Sequence, residues 1–447
     1  MRRSYLAGRL LCLALSTSST ALAQQAAPPP QETPAPSAED APEGEPFRVP
    51  TLEVVGKAST PEPPDSASRR DPSGALTVIQ VDEFGGAARD TAAMLSTAPG
   101  VTLQDVGGYG QSKSLVVRGA SSNATLVLLD GIPLNGPGGI ADLSRVPVAM
   151  AERFEVLRGG AGARYGTGGL GGAVNIITRR PGKDARVAGE LSYGSWNTAQ
   201  GWLSASGPLA GGEALVLVHG GTSSGRFPYL FDPSPTLPGD ALLEQRRTNN
   251  DARGAGGLLR LRRPLGRGFS ADLLGELSFD ERGLAGTAQN PSGDARQSGG
   301  RGSASLRVTG TLPGGVRTNA RAYFRRDRVA LSGGLWSQSE PQVQQLGGVE
   351  LEGNVRLGGW HALSALVSVG GESVTAADTN EAAGGDPAWL RASVMAMDEV
   401  LLWDGQLTVA PSLRVERAGP YTLLSPKVGV TVELPWDFEL RANAGRA

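Results

Sequence analysis

The chain contains few of the residues from which catalytic and metal sites are usually built. Its 447 residues include one cysteine, Cys12, and two histidines, His219 and His361. A single cysteine forms neither an intrachain disulfide nor a thiolate cluster, and two histidines far apart in the sequence argue against a zinc site. The 42 lysines and arginines are balanced by 44 aspartates and glutamates, so the chain lacks the basic excess of nucleic-acid binders. We therefore expect no metal centre, no cofactor and no nucleic-acid partner.

The sequence also lacks a recognisable catalytic set, such as Ser/His/Asp or paired carboxylates, so we expect no enzymatic activity. Gly166, Gly168 and Gly171 do fit the G-x-G-x-x-G pattern of dinucleotide sites. That pattern needs a helix directly after it to hold the pyrophosphate, whereas β-branched residues follow here. We interpret the glycine-rich segment as a set of turns, because glycine adopts positive φ without strain.

Long apolar runs are missing beyond the N-terminus. Residues 1–23 combine a basic start, a short apolar run and Ala-Leu-Ala before Gln24, which predicts a secretory signal peptide. In the rest of the chain no apolar run reaches the roughly 18 residues of a spanning helix, so a helical membrane protein is excluded. A membrane β-barrel is compatible with this composition, because its lipid-facing surface uses only every second residue of each strand.

Residues 24–73 predict an extended linker. Proline alternates there with alanine, glutamate and glutamine, a composition that favours a solvated, extended chain. Residues 49–56 (VPTLEVVG) interrupt it with a short β-prone run. This run is either an isolated edge strand or a recognition strand that pairs with the sheet edge of another protein.

Residues 74–183 predict a compact α+β domain. Asp90 is placed to cap a short helix, and a second short helix is predicted at 146–151. The glycine-rich loop 158–172 precedes the last strand of the domain. Apolar and β-branched runs predict strands at 75–81, 101–103, 114–117, 126–129, 154–157 and 174–178.

Residues 184–447 follow a different pattern, in which apolar and polar residues alternate. In the segment 348–357, Val349 and Leu351 share one face, and Glu350 and Glu352 share the other. A soluble sandwich would pack the apolar face against a second sheet, whereas an outer-membrane barrel would turn it towards lipid. The alternation alone allows either architecture.

Loop lengths favour the barrel. Short turns, such as 211–212 and 264–266, alternate with long polar stretches, such as 224–251 and 282–301. Short turns at one end and long loops at the other are typical of outer-membrane barrels, whose strands span the membrane with about 9–11 residues. The seven tryptophans lie mostly near strand ends, where such barrels place aromatic girdles. We count about 13 strands of this kind.

Six blocks of sequence, in this order, resemble the plug domain of the TonB-dependent outer-membrane receptor family. They are residues 90–101 (DTAAMLSTAPGV), 117–119 (VRG), 127–134 (VLLDGIPL), 152–159 (ERFEVLRG), 165–166 (YG) and 171–178 (GGAVNIIT). Further along, residues 280–286 (DERGLAG) and 295–297 (ARQ) resemble a loop segment of the branch that takes vitamin B12 and catecholate siderophores.

The resemblance implies a mainly β protein in two parts. Residues 74–183 would form an α+β plug inside an antiparallel transmembrane β-barrel, and residues 184–447 would form the N-terminal part of that barrel. Barrels of this family have roughly 22 strands, and the final residues (RANAGRA) resemble a mid-barrel stretch rather than a terminus. We therefore expect the chain to be truncated at its C-terminal end.

The resemblance also implies a transport function. The protein would sit in the outer membrane of a Gram-negative bacterium and import a large, scarce metal chelate, an iron–siderophore or cobalamin. Its partner would be TonB, energised by the inner membrane. The family's TonB box, which pairs with TonB by strand addition, corresponds to Thr51, Leu52, Glu53, Val54 and Val55. Two alternatives stay open, a secreted or surface β-rich binding or adhesion protein and a truncated receptor that does not transport.

Candidate site residues follow from the same resemblance. The plug loops that face the ligand cavity in the family contain Tyr109, Gln111 and Asn135. The charged plug residues expected to contact the barrel, with an ion pair inside the plug as the alternative, are Arg118, Glu155 and Arg158. The acidic residues of one long loop, candidate Ca²⁺ ligands with a solvated loop as the alternative, are Asp232, Asp240 and Asp251.

Overall fold

The computed structural model describes most of the chain from residue 74 onwards. The described residues are 74–83, 90–136, 139–159, 165–166, 168–233, 242–334, 341–375, 388–436 and 438–446. The predicted signal peptide, linker and TonB box, residues 1–73, lie outside this part, as do Asp240 and Trp336.

The first described region is an α+β unit, which we call the plug. Its helix α1 spans Thr91–Leu95, and its strands are β1 Ala75–Gln80, β2 Val101–Asp105, β3 Lys113–Val117, β4 Thr125–Leu129, β5 Ile132–Pro133, β6 Ala151–Arg158 and β7 Gly172–Thr178. Five strands form one sheet in the order β1-β6-β7-β4-β5, and β2 pairs with β3 separately. Within the larger sheet β4 and β7 are parallel, while the other neighbours are antiparallel.

The plug core lies around β7, because both faces of this strand are covered. Every residue of β7 is buried, including Val174 and Ile176, which pack in one cluster with Phe154 of β6. A strand that is buried on both faces has mostly apolar side chains along its length, and this pattern predicts β7 from the sequence. Asp90 caps α1 as predicted and accepts a hydrogen bond from the Ala93 N–H at 2.7 Å. None of the helices in the described part of the chain is long and apolar enough to cross a membrane.

The helix predicted at 146–151 is wrong. Two short 3₁₀ turns, Leu143–Arg145 and Val148–Met150, occupy this region, and β6 begins at Ala151. The cause is Pro147, which has no N–H and pushes Val146 into an extended conformation. A continuous helix cannot pass through such a pair.

Thirteen antiparallel strands of the described residues form the second sheet, which we call the barrel sheet. This agrees with the strand count expected from the sequence. A separate hairpin, β11 Pro228–Phe231 and β12 Leu243–Arg246, lies in the loop between two of these strands. The barrel strands are β8 Arg186–Gly194, β9 Thr198–Leu209, β10 Gly212–Ser223, β13 Ala252–Gly266, β14 Phe269–Gly283, β15 Arg296–Thr311, β16 Arg317–Ser332, β17 Gln342–Leu357, β18 His361–Thr375, β19 Ala388–Leu402, β20 Leu407–Ala418, β21 Tyr421–Leu434 and β22 Phe438–Gly445.

The apolar face of the barrel sheet points outwards. In β17, Val349 and Leu351 are 58% and 56% exposed, whereas Glu352 is 3% exposed. A soluble sandwich would bury the apolar residues instead, so the exposure decides between the two architectures that the sequence left open. The fold is a plug with the strands of an outer-membrane-type barrel, whose lipid-facing side is apolar.

The two ends of the barrel sheet differ in connection length. At one end, which we call the turn side, short turns such as 210–211, 267–268 and 358–360 join the strands. At the other end, the loop side, long connections include 224–251 and 284–295. Two connections on the loop side, β8–β9 and β20–β21, are also short.

The tryptophans mark both ends of the sheet. Trp360, Trp403 and Trp436 lie in turn-side connections and are largely exposed, while Trp196 lies in the loop-side connection between β8 and β9. This distribution is the one expected of interfacial aromatic girdles. Trp202 is an exception, because it lies on the inner face of β9, where the Arg179 guanidinium of the plug stacks over its ring.

Candidate functional site

Buried arginines of the barrel sheet hold the plug. Six arginines of β13–β16 are each 5% exposed or less: Arg260, Arg282, Arg301, Arg307, Arg321 and Arg325. Each donates a hydrogen bond to a main-chain carbonyl of the plug. Arginine suits this role, because its planar fork reaches two acceptors at once and keeps its charge.

The turn after β4 receives several of these bonds. Arg321 donates from Nη1 to the Asp130 carbonyl at 2.9 Å and from Nη2 to the Gly131 carbonyl at 3.1 Å. It also pairs with Glu350 of β17 at 2.7 Å. Gly131 has φ +84°, and a Cβ at this position would collide with Arg321 Nη1. The turn therefore needs glycine both for its backbone and for the approach of the arginine.

Arg325 holds the same turn a few residues further on. Its Nη1 donates to the Pro133 carbonyl, and its Nη2 donates to the Asn135 carbonyl at 3.0 Å. Gln344 of β17 accepts a further hydrogen bond from Arg325 at 2.7 Å. A hydrogen bond to a charged group contributes about 1.5–3 kcal/mol. Arg321 and Arg325 both donate to main-chain carbonyls of residues 130–135, and we call this segment the anchored turn.

Arg282 binds the plug at an acidic position. Its Nη2 lies 2.6 Å from Asp142 Oδ2, and the other carboxylate oxygen accepts hydrogen bonds from Ser144 and from the Lys113 N–H. Burial tends to raise the pKa of Asp142, but Arg282 and these hydrogen bonds outweigh it and hold the pKa below its ordinary value. This carboxylate is therefore charged whenever the plug is folded near neutral pH.

Arg145 makes ion pairs in the opposite direction, from the plug to the barrel. Its Nε lies 2.7 Å from Asp280 of β14, and its Nη1 lies 3.3 Å from Asp327 of β16. Next to it, Arg301 pairs with Glu276 at 2.9 Å. Breaking a buried pair of this kind leaves an unpaired charge and costs about 3–5 kcal/mol. Sequence reasoning missed these residues, although the strand alternation shows that Asp280 and Asp327 point inwards.

The three plug residues predicted to contact the barrel have contacts inside the plug. Glu155 pairs with Arg153 at 2.7 Å and accepts a hydrogen bond from Asn175. Arg158 donates to the Pro99 carbonyl at 3.4 Å. Burial, and then the nearby Arg118 guanidinium, lower the pKa of Arg158. The Arg153–Glu155 pair corresponds to the alternative of an ion pair within the plug, and contact of Arg118 and Arg158 with the barrel stays a prediction.

Gln111 and Tyr109, predicted to line the ligand cavity, lie at the loop side. The Gln111 side chain is buried and donates to the carbonyls of Asn250 and Gly283, which precede β13 and end β14. The Tyr109 hydroxyl lies against Gly221 of β10. Gln111 thus links the plug to the barrel sheet, and a role in ligand contact stays a prediction for both residues.

Asn135 has its side chain fully engaged within the plug. Its Oδ1 accepts a hydrogen bond from the Val127 N–H at 2.8 Å, and its Nδ2 donates to the carbonyls of Thr125 and Gly139 at 2.8 and 2.6 Å. Asparagine offers one acceptor and two donor hydrogens, and each has a partner here. The residue braces its loop, and direct ligand contact by its side chain stays a prediction.

A pocket of about 660 Å³ lies between the plug and β16–β21. On the barrel it is lined by residues near the loop-side ends of the strands, from Trp389 to Ser393 in β19 and from Arg414 to Ala418 in β20. Aromatic and charged groups face it: Tyr165, Tyr323, Trp389, Tyr421, Arg391, Arg414 and Glu416. We call it the loop-side pocket. Its volume and its aromatic and charged lining are typical of a small-molecule site.

A second cavity of about 690 Å³ lies between the plug and β8–β10, with β13 and β14 adjoining. It is bounded by Tyr109 and Gly221 at the loop side, and by Arg180 and Arg186 at the turn side. We call it the wall cavity. It differs from the loop-side pocket in reaching both ends of the strands.

The candidate calcium loop is only partly described. The carboxylate of Asp251 binds Arg296 of β15, at 3.2 and 2.8 Å. Asp232 lies just after β11, and Asp240 lies outside the described part. Among the described residues there is no group of three acidic, histidine or cysteine side chains that could hold a metal ion. Calcium binding therefore stays a prediction.

Comparison with known proteins gives one family and several solved structures. Residues 68–173 match the TonB-dependent receptor plug domain. The siderophore receptor PirA from Acinetobacter baumannii is similar over 85% of this chain, with a TM-score of 0.67 and 18% identity. A point mutant of the ferric enterobactin receptor PfeA from Pseudomonas aeruginosa is similar over 86%, with a TM-score of 0.66 and 18% identity. The ferric citrate transporter FecA is similar over 83%, with a TM-score of 0.64 and 19% identity.

The chain spans 62%, 63% and 62% of the length of these three structures. At such identities the likeness establishes the fold, which is a plug with barrel strands.

Proposed function

We propose that this chain belongs to an outer-membrane receptor of the TonB-dependent family, which imports an iron–siderophore by TonB-driven movement of the plug. The match of residues 68–173 to the plug domain of that family and the similar fold of solved receptors support this proposal. The observation that carries this proposal is a folded plug bound inside strands whose apolar face points outwards. A plug in that position blocks passive diffusion, so uptake requires work on the plug.

The loop-side pocket supports a metal chelate as the ligand. Its aromatic rings, Tyr165, Tyr323, Trp389 and Tyr421, offer flat surfaces to a large organic ligand. Arg391 and Glu372 pair at 3.2 Å along its edge, so charged groups of both signs are available. Iron–siderophore is our first choice because structures of similar fold are named as siderophore receptors. Cobalamin is the second, on the resemblance of residues 280–286 and 295–297.

TonB coupling is proposed through Thr51, Leu52, Glu53, Val54 and Val55. Their β-prone side chains and their position in a proline-rich linker suit strand addition to a partner sheet. The outer membrane holds no ion gradient, so the energy for uptake has to arrive through such a contact. Pulling on the linker would act on the plug through β1, the first strand of its sheet.

The direct test is uptake of labelled ligands by cells that produce the receptor. The panel contains ferric enterobactin, ferric citrate and cobalamin, and the variants are Leu52→Pro in the TonB box and Ala58→Pro just outside it. We expect uptake of an iron chelate that Leu52→Pro abolishes and Ala58→Pro preserves, because proline removes the N–H needed for strand pairing. Equal uptake by the Leu52→Pro variant and the unaltered protein would rule out the TonB box at this position.

An immunoblot of isolated outer membranes with an antibody to the plug tests location and length together. A band in this fraction above the 46.1 kDa of this chain supports a full-length receptor. A band at or below that mass favours a receptor remnant that does not transport. Recovery in a soluble fraction without detergent would favour the alternative of a secreted binding or adhesion protein.

A further inference from the structure

The plug is held differently on the two sides of the barrel sheet. On β13–β16 the six buried arginines donate hydrogen bonds to its main chain, and the anchored turn alone receives bonds from Arg307, Arg321 and Arg325. A directional bond to a charged donor contributes about 1.5–3 kcal/mol, and several act together on this turn.

On β8–β10 the contacts are of another kind. Met150 packs with Leu215 and Leu217 of β10 in an apolar cluster that continues to Leu258 of β13 and Leu274 of β14. The Arg179 guanidinium stacks over the Trp202 ring of β9 at 5.5 Å. Apolar contacts are non-directional, and a surface can slide along them or leave them in small steps. A cation–π contact is worth about 0.5–2 kcal/mol. This side therefore resists displacement less than the arginine side.

The wall cavity lies on this second side. In β9 it is lined from Gln200 to Ser206, which is about 20 Å at about 3.3 Å per residue. Barrel strands tilt by about 35–45°, so this length corresponds to roughly 15 Å along the membrane normal, about half of a bilayer core about 30 Å thick. The loop-side pocket is lined in β18 from Leu366 to Val374 and does not extend to the turn-side end of that strand.

The lining of the wall cavity is mixed. Ser192, Ser204 and Ser206 face it from the barrel sheet, while Met94 of the plug and Trp202 of β9 add apolar surface. Small side chains on the wall leave room, and the polar groups offer partners to the charged or hydroxyl groups of a ligand that also has apolar parts.

We propose that the plug stays attached to β13–β17 through the anchored turn and separates first from β8–β10, so that the wall cavity widens into the route by which the ligand crosses the barrel. This inference rests on the function proposed above. It adds which strands keep the plug, which strands the plug leaves first, and the route that the ligand takes. It makes Arg321 and Arg325 positioning residues, which hold the plug without touching the ligand.

The first test uses the purified full chain in detergent, with no TonB present. The only cysteine is Cys12, so after its replacement by serine single reporters can be placed at Ser204 on the cavity wall and at Ser305 among the arginines of β15. Both face the plug. Ser204 already lines the cavity, so each labelling rate by a bulky maleimide is compared with its own rate without urea. We expect the rate of Ser204→Cys to rise at a lower urea concentration than that of Ser305→Cys, because the plug leaves that wall first. Equal midpoints, or earlier reaction of Ser305→Cys, would overturn the proposal.

A lysine variant tests whether the arginine forks hold the plug on β13–β16. Arg321→Lys combined with Arg325→Lys keeps both charges but loses the two-carbonyl geometry. We expect it to shift the Ser305→Cys midpoint to lower urea and to leave the Ser204→Cys midpoint unchanged. Arg326→Lys, an exposed residue on the same strand, is the matched control. An unchanged Ser305→Cys midpoint in the double variant would refute the anchoring role.

The second test uses energised cells and separates this inference from the proposed function. Where uptake is active, we expect ligand to accelerate labelling of Ser204→Cys at least about tenfold and to leave Ser305→Cys protected. Active uptake with equal labelling of both, or with no acceleration at Ser204→Cys, would refute the path while the transport function stands. No uptake by the unaltered protein, or equal uptake by the Leu52→Pro variant, would instead count against the proposed function.

Discussion

Replacing Gly131 by alanine tests the anchored turn at its tightest point. The residue has φ +84°, and the new Cβ would meet Arg321 Nη1. Left-handed backbone costs a non-glycine residue about 1–2 kcal/mol. Displacing Arg321 from the two carbonyls costs about 1.5–3 kcal/mol more, because this side chain is 2% exposed and has little room to move. We expect a total loss of about 2.5–5 kcal/mol in plug stability.

Gly119→Ala is the matched control. Gly119 also lies in the plug and has φ +71°, but nothing lies within 4 Å of its added Cβ. Its loss is therefore the backbone strain alone, about 1–2 kcal/mol. The difference between the two variants isolates the contact with Arg321.

Native-state hydrogen exchange, read by mass spectrometry on peptides from β4 and β7, gives the opening free energy of the plug in each variant. In an Arg321→Ala background, Gly131→Ala should cost only about as much as Gly119→Ala, since the collision is gone. If Gly131→Ala costs no more than Gly119→Ala in the unaltered background, the argument for the anchored turn fails.

Two further predictions concern plug stability. Arg282 and hydrogen bonds, acting against burial, hold the pKa of Asp142 below its ordinary value. The stabilisation of the folded plug by this carboxylate is therefore complete above the unfolded pKa of about 3.9, and it is lost as pH falls through the folded pKa. Asp142→Asn should therefore flatten the acid-induced loss of stability, measured by urea unfolding between about pH 6 and pH 3. Asp90→Ala should cost about 1 kcal/mol by removing the cap of α1, seen as faster exchange at residues 92–95.

The predictions for Asp142→Asn and Asp90→Ala each have a control substitution in the same chain. Asp184 is exposed, and Asp184→Asn, which removes a carboxylate away from Arg282, is the matched control for Asp142→Asn. An Asp142→Asn variant with an unaltered pH dependence would contradict the assigned role of Arg282. Asp90→Asn keeps an N-cap acceptor but loses the negative charge paired with Lys113, so it should retain most of the helix protection. Equal exchange in Asp90→Ala and the unaltered chain would show that the cap does not stabilise α1.

The sequence predicted the fold well where the pattern is carried by single residues. Alternation placed Glu352 on the inner face and Val349 on the outer face, and Asp90 marked the start of α1. The helix predicted at 146–151 was wrong, because it rested on the apolar residues of this segment, whereas Pro147 prevents a continuous helix. Alternation alone allowed either a sandwich or a barrel, and the exposure of Val349 and Leu351 in the folded sheet decides for the barrel.

The site was less accessible to sequence reasoning. The barrel arginines donate to main-chain carbonyls, which every residue carries, so no side-chain pattern in the plug identifies the acceptor. Strand alternation does show that Arg321 and Arg325 face inwards, but it does not show what they meet. Gln111 was assigned to the ligand cavity from its loop, whereas its bonds to Asn250 and Gly283 depend on the tertiary arrangement.

The alternation of the barrel strands has a consequence for the chain before it folds. In β17, Glu350 separates Val349 from Leu351. Polar neighbours of this kind lower the mean hydropathy of any longer stretch of the sequence. A segment is retained in an inner membrane when about 18 or more apolar residues follow one another, and these strands offer no such run. The apolar surface is created only when the sheet forms. The same strand thus has a mixed polar and apolar sequence when unfolded, and a continuous apolar surface when paired with its neighbours.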